Sequence, residues 1–300
     1  MSGGLGFIGS HVVETLLEEG MEVLVVDDLS TGNMLNTISG AQYCIESVTE
    51  LRSKQEILAF KPDYFFHLAA LPRIQPSFDN PLKYNEVNIN ATVELLQTAK
   101  EVGAKAFVYS SSASVYGNPK HQPITEATAI SPLNPYAVQK YAGEQLTLLL
   151  GAKWNVPVVS LRYFNPFGER SFYPSNKDSA YSPVIGIFEH CMVSQINMRI
   201  TGDGNQRRDF IYVKDVARAN FLTAIEIEKV NQHIFNVCSG ETYSILEIAK
   251  MFGNNYEHIE ARNGEATISW GCNCLIRKKI NWTTSLSVVN YIRMISGPKL

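Results

Sequence analysis

The 300-residue chain has no uninterrupted apolar run of membrane-spanning length, and no secretory leader pattern precedes its first motif. Basic charge is not in excess: 26 Lys and Arg stand against 29 Asp and Glu, a formal net charge of -3. Neither the basic face of a nucleic-acid binder nor that of a membrane-surface protein is expected, although a local basic pocket for phosphate is compatible with this balance. Cysteine is scarce and odd in number: Cys44, Cys191, Cys238, Cys272 and Cys274. That scatter does not read as a disulfide framework. Cys272 and Cys274 form C-x-C, with no second Cys or His pair nearby to complete a tetrahedral site. All five are expected to be ordinary thiols of a reducing compartment, no metal is expected, and the cytoplasm is the expected location. Repeats, low-complexity segments and a flexible linker are also missing.

What is present is ordinary globular composition, 45% hydrophobic and 18% charged, enough to bury a core without metal or disulfide staples. The first half alternates short β-rich runs with amphipathic stretches. Strands are expected at 22–26, 64–68, 106–110 and 156–162, and helices at 8–19, 51–60, 84–102 and 136–150. Such alternation implies an α/β fold, a Rossmann-type doubly wound parallel sheet covered on both faces, with its nucleotide site at the carboxyl ends of the strands. Residues 1–165 are expected to form this domain. After Asn165 the pattern loosens, and 166–300 is expected to be mainly a smaller substrate lobe, with 200–224 partly returning to the main domain.

Gly3, Gly6 and Gly9 make G-x-x-G-x-x-G at the start of a helical pattern, which begins Phe7-Ile8. A side chain at Gly3 or Gly6 would hold a pyrophosphate away from the backbone N–H groups of that helix, and Gly9 allows close helix–sheet packing. A strand ending in Asp27 follows at dinucleotide-fold spacing. Its carboxylate would accept bonds from both ribose hydroxyls and repel a 2′-phosphate, favouring NAD over NADP; the alternative for Asp27 and Asp28 is a solvated strand end capping a turn. Only Met1 and Ser2 precede the loop, where the central first strand belongs. Its absence is expected to leave two ladders unpaired and a slot in the core, and the chain is expected to be a fragment or a mis-started reading.

Tyr136-Ala-Val-Gln-Lys140 places a phenol and an ammonium on one helix face. The cation is expected to lower the tyrosine pKa toward the working pH. Upstream, residues 106–117 read as a buried strand ending in hydroxyls. Ser112 is the candidate to hydrogen-bond substrate and relay its proton, with Ser111 and Ser114 as strand-end capping serines. His67 is expected to be a satisfied core histidine.

Gly3 to Gly9, Asp27, His67-Leu-Ala-Ala70, Ser112 with Val115-Tyr-Gly117, and Tyr136/Lys140 together resemble the extended short-chain dehydrogenase/reductases, most closely their UDP-glucose and UDP-N-acetylglucosamine 4-epimerases. The likeness continues through Arg162-Tyr-Phe-Asn165, Gly202-Asp-Gly204, Arg208-Asp-Phe-Ile-Tyr-Val213, Asn236-Val237 and Arg262-Asn-Gly-Glu265, covering nearly all the chain to about Trp282. The resemblance implies that Leu68, Ala69, Ala70 and Phe164 join the glycines, Asp27, Tyr136 and Lys140 around NAD, and that Asn88 sits near the cofactor or orders its strand. It implies that Asn165 contacts the sugar nucleotide, that Arg208 and Arg262 bind its diphosphate, and that Ser269 walls the sugar pocket and leaves room for an N-acetyl group. Planar guanidinium groups suit phosphate oxygens; each arginine alone also reads as a surface ion pair. Glu46-Ser47 replaces the Gly-Asp that often contacts adenine in the family, and Cys272 replaces an Asp.

The implied reaction is C4 epimerisation of a UDP-hexose through a 4-keto intermediate, NAD supplying the redox chemistry. Relatives that dehydrate at C4 and C6 or decarboxylate a UDP-glucuronate carry acidic residues just after the catalytic hydroxyl; here Ala113 and Ser114 occupy those places, and Glu126 is the one nearby carboxylate. A second class of reading is a truncated, inactive relative. The helical patterns at 84–102 and 136–150 carry apolar residues beyond one narrow stripe, which suggests a homodimer, although burial within one chain would explain them as well.

Overall fold

A parallel sheet forms the centre of the molecule, in a computed structural model that describes residues 1–174 and 182–297. The first half runs α1 (Phe7–Glu18), β1 (Leu24–Val26), β2 (Gln42–Cys44), α2 (Leu51–Phe60), β3 (Tyr64–His67), α3 (Ile74–Asp79), α4 (Pro81–Asn85), α5 (Ala91–Val102), β4 (Ala106–Ser112), α6 (Pro135–Trp154) and β5 (Val158–Tyr163). Strands β3, β4 and β5 pair in parallel and β10 (Ile234–Val237) extends them beyond β5. The sequence pattern placed 234 onward in the lobe. Instead Phe235 and Val237 are fully buried in the main core, a non-local pairing that no local signal announces.

Both faces are covered. Leu5, Val12, Val13 and Leu16 of the first loop and helix pack with Val216, Ala217 and Ala219 on one side; Ile57, Leu95, Leu96 and Ala99 pack on the other. All six residues of β5 are buried, and all of β4 but Ser112, which is why these strands read as unbroken apolar runs and not as alternation. At the start of α6, Asn134 caps the helix by accepting from the Ala137 N–H at 2.9 Å, with Pro135 in the first turn. The pattern expected as one helix at 84–102 is broken by a π-helical turn, Glu86–Asn90.

Contrary to the expectation of two unpaired ladders, the gap in the sheet between β1 and β3 is bridged. Ser2 bridges both neighbours, in parallel with Val26 and with His67. Its N–H donates to Phe66 O at 3.0 Å, and its carbonyl accepts from Leu68 N at 3.1 Å. Beside this bridge lies a cavity of about 340 Å³ bordered by Leu16, Leu24, Ile57, Phe60 and Leu95. The Met1 ammonium donates to Leu24 O at 2.9 Å inside it, and burial lowers its pKa to about 5.

The second half runs β6 (Asn165–Phe167), α7 (Val184–Ser194), β7 (Met198–Thr201), β8 (Arg207–Arg208), β9 (Phe210–Tyr212), α8 (Val213–Ile225), α9 (Ile227–Val230), β10, β11 (Tyr243–Ser244), α10 (Ile245–Phe252), β12 (Tyr256–Ile259), β13 (Ile268–Ser269), α11 (Cys274–Ile280) and α12 (Val288–Ser296). Helix α8 packs on α1. A separate core of Phe188, Ile200, Phe210, Ile248 and Tyr291 forms the smaller lobe. Residues 175–181 and 298–300 of that expected lobe lie outside the described residues. Contrary to the expectation of free thiols, Cys272 and Cys274 form a disulfide; Cys44, Cys191 and Cys238 are buried free thiols. Among the described residues no helix is long and apolar enough to cross a membrane.

Candidate active site

A cleft of about 820 Å³ opens between the sheet and the lobe, at the carboxyl ends of the strands. Its floor is the glycine turn. Gly3 has φ +74, and a Cβ there would stand 2.5 Å from Ala69 N, so the turn lies flat against the end of β3. Gly9 faces the Gly3 carbonyl too closely for any side chain. Gly6 meets nothing but the Gly3 carbonyl, at 3.4 Å, and begins α1 without a side-chain cap. The first-turn N–H groups of Phe7 and Ile8 therefore face the cleft at the positive end of the helix dipole. This is a cradle for an anionic linker that any side chain at Gly6 would fill.

Asp27 ends β1 beside the turn. Its two oxygens accept from Leu5 N and Leu29 N, each at 2.9 Å. Burial raises its pKa, and those two bonds pull it back. The carboxylate thus closes the local loops as well as lining the cleft. Ser47, the departure noted in the sequence, also lines it, whereas Glu46 turns to Arg52. Leu68, Ala69, Ala70 and Phe164 line the same space.

Ser112, Tyr136 and Lys140 come together on one wall, above the glycine turn. Lys140 Nζ donates to Ser110 O at 2.7 Å and lies 5.2 Å from the centre of the Tyr109 ring; burial lowers its pKa to about 7. Tyr136 departs from the expectation of a lowered pKa. Burial pushes its phenol up to about 12; a hydrogen bond with Ser112 and the charge of Arg73 pull the other way, against Tyr84. The lysine is aimed at the strand carbonyl, so its charge does not depress the phenol in this arrangement. His67 is satisfied on both ring nitrogens, by Ser2 Oγ at 2.7 Å and Thr92 Oγ1 at 2.9 Å. Burial holds it neutral, with a pKa of about 3.

The opposite wall carries Arg208, Arg262 and Glu265. Arg208 is 14% exposed, with Nη2 3.4 Å from Glu265 Oε2; burial lowers its pKa and Glu265 offsets part of that. Asn165 lies between the walls, its Nδ2 donating to Asp209 O at 2.9 Å.

Two expected site residues are elsewhere. Asn88 lies one layer back on the π-turn, where its side-chain amide holds both Leu71 N at 2.8 Å and Leu71 O at 3.2 Å. It orders the strand end and does not line the cleft. Ser269 sits in β13, in register with Arg208, and its carbonyl accepts from Asp209 N at 2.7 Å; it too is off the cleft lining. Sequence reasoning missed Arg73 and Arg170, which do line the cleft. Arg73 follows the Ala69-Ala70 segment outside any motif. Arg170, at φ +64, pairs with Glu14 at 2.6 Å across 156 residues, which no spacing rule reveals.

The pattern of the NAD dependent epimerase/dehydratase family matches residues 1–238. The chain belongs to that family. It is 34% identical over 258 residues to the UDP-glucose 4-epimerase of Lactobacillus helveticus, covering 82% of this chain and 78% of that one. Its fold matches UDP-glucose 4-epimerase from Thermotoga maritima with UDP-glucose at a TM-score of 0.91 and 30% identity, over 98% of this chain and 96% of that one. The match to UDP-N-acetylglucosamine 4-epimerase from Methanobrevibacter ruminantium, in complex with UDP-N-acetylmuramic acid, has a TM-score of 0.87 and 31% identity, over 98% and 95%.

Proposed function

We propose that this chain inverts C4 of a UDP-hexose with NAD as its cofactor. The glycine turn and the first-turn N–H groups of α1 would hold the NAD pyrophosphate, and Asp27 the adenosine ribose hydroxyls. Arg208 and Arg262 would hold the UDP diphosphate, with Asn165 toward the sugar. NAD held there would supply reversible hydride transfer at C4. Tyr136, once ionised against the rise that burial gives its phenol, would take the proton of the C4 hydroxyl, with Ser112 beside it. Lys140 fixes the strand end through Ser110 O and keeps a positive charge within the site. Its pKa near 7 leaves that charge responsive to an anion bound nearby.

The observation that carries the choice of reaction is what surrounds Ser112. Elimination or decarboxylation needs an acid or base beside it, and Ala113 and Ser114 follow it. Glu126, the one candidate in sequence, accepts from Asn236 N at 2.8 Å and is not on the cleft lining. Both acetylated and non-acetylated UDP-hexoses are proposed substrates.

A homodimer through the 84–102 and 136–150 helices is part of the proposal. Val138 is 53% and Leu149 66% exposed, and Ala142 and Leu146 lie between them on the outward stripe of α6. The cytoplasm is kept as the proposed compartment, although the Cys272–Cys274 disulfide gives it no support; fractionation tests it. The activity itself is tested by incubating the purified protein with UDP-glucose, UDP-N-acetylglucosamine and UDP-glucuronate and identifying the products. C4 epimers of the first two are expected, with NAD released on denaturation. Products lacking water or carbon dioxide, or a protein without NAD, would overturn the proposal.

A further inference from the structure

The Cys272–Cys274 disulfide spans a single residue, Asn273. Cys274 is exposed and Cys272 half-buried, whereas Cys44, Cys191 and Cys238 are buried free thiols. A cross-link that closes so short a loop removes little entropy from the unfolded chain, so it is a poor staple. Its position says more. Asn273 is buried, and its Nδ2 donates to Cys238 O at 2.9 Å and to Ser239 O at 3.3 Å. Ser239 N and Ser239 Oγ in turn donate to Asp209 Oδ1, each at 2.7 Å, and Gly240 N donates to Oδ2 at 3.0 Å. Gly271, the residue before the disulfide, donates its N–H to the same Oδ2 at 3.2 Å. Asp209 is fully buried, and its main-chain carbonyl accepts both Asn165 N at 3.1 Å and Asn165 Nδ2 at 2.9 Å. One carboxylate therefore gathers the 239–240 loop and the disulfide loop, while its own backbone holds Asn165 and continues directly from Arg208 on the cleft wall.

Resting on the reading of Arg208 and Asn165 as the UDP-sugar wall, we propose that Cys272 and Cys274 are a redox-modification site, closed by low-molecular-weight disulfides and opened by thiols, whose closure tightens that wall through Asn273 and Asp209. The exposed Cys274 thiolate attacks one sulfur of the small disulfide; its S–S bond breaks and one thiolate leaves. The Cys272 thiolate then attacks Cys274 Sγ, the mixed disulfide breaks and the second thiolate leaves. The two cysteine sulfurs are oxidised, the small disulfide is reduced to two thiols, and the two cysteine protons end on those thiols. Excess thiol reverses both steps. Closure ties the backbone on both sides of Asn273 and so keeps its amide on the 238–239 carbonyls; opening leaves that contact to hydrogen bonds alone. In a reducing compartment a disulfide is transient, so in the proposed compartment this pair acts as a switch.

The folded protein is equilibrated with reduced and oxidised glutathione over a series of ratios, alkylated with iodoacetamide without denaturant, and mapped by mass spectrometry. Alkylation of both Cys272 and Cys274 is expected at the reducing end and of neither at the oxidising end, with the buried thiols silent throughout. A pair that never opens, or that stops at a glutathione adduct, would overturn the site. Calorimetry with UDP-glucose then compares the two forms. The opened form is expected to bind roughly 3- to 10-fold more weakly, with kcat changed less than about 2-fold. The Cys272→Ser/Cys274→Ser double variant should match the opened form and ignore glutathione; should it fail to fold, the opened parent protein carries the same comparison. Equal affinity in the two forms would overturn the link to the wall. A further readout needs no ligand: hydrogen exchange at the Ser239, Gly240 and Gly271 amides, which donate to Asp209, is expected to be several-fold faster in the opened form. Unchanged exchange contradicts the link even if no UDP-sugar binds, whereas faster exchange with no binding in either form contradicts only the proposed function.

Discussion

The two walls of the cleft are built differently. On one, Ser112, Tyr136 and Lys140 sit on a buried strand and a 20-residue helix, and Lys140 is held by Ser110 of that same strand. On the other, Arg208 comes from a two-residue strand, Arg262 and Glu265 come from the segment before β13, and Arg208 meets Glu265 at 3.4 Å. The first wall holds reacting groups in place through short-range bonds. The second gathers charge from distant segments, where a ligand can still rearrange it. Chemistry needs positions fixed to a fraction of an ångström; binding a flexible diphosphate needs charge that can follow it.

Substitutions should separate the walls. On the first, Tyr136→Phe is expected to lower kcat by roughly 10²–10⁴-fold while the NAD content of the purified protein stays unchanged; steady-state kinetics and released cofactor check both. A similar loss of NAD would erase the distinction between chemistry and binding.

The foundation of that wall should also respond to pH. His67 is neutral in the fold, with a pKa of about 3 against 6.5 when free. Between those values the unfolded chain binds more protons than the folded one. The stability is full above pH 6.5 and is lost as pH falls through that window. Urea melts are expected to show this term as about 2 kcal/mol lower at pH 5 than at pH 7.5, and His67→Gln should remove that part of the slope.

On the second wall, Arg208→Ala and Arg262→Ala are each expected to raise KM for the UDP-sugar roughly 10- to 100-fold, with a smaller change in kcat. A loss confined to kcat would place these residues with the chemistry instead. The smallest effect belongs to Ser269→Ala, expected to change KM less than about 2-fold because Ser269 stands behind Arg208 and off the lining.

The same contrast explains what could be read from the amino-acid order. Helix α2 forms at the residues where its pattern predicts it, and α6 begins one residue before its predicted start, because periodicity is a local signal. Tyr136 and Lys140 share a face because four residues separate them on one helix. Legibility ends where distant segments decide. The π-turn at Asn88 answers to Leu71, β10 joins the main sheet through β5, and Arg170 finds Glu14 across the molecule. The rise of the Tyr136 pKa was hidden for a related reason. Spacing puts Lys140 near the phenol but does not say that its ammonium is spent on the Ser110 carbonyl.

The central claim is that a hydride leaves C4 and returns to the same carbon without exchanging with water. Turnover of a UDP-hexose in deuterated water, followed by nuclear magnetic resonance, tests it directly. The account predicts inversion at C4 with no deuterium on the C4 or C5 carbon of the product. Deuterium at C4 would contradict a retained hydride, and deuterium at C5 would point to an elimination that the groups around Ser112 are not built to carry out.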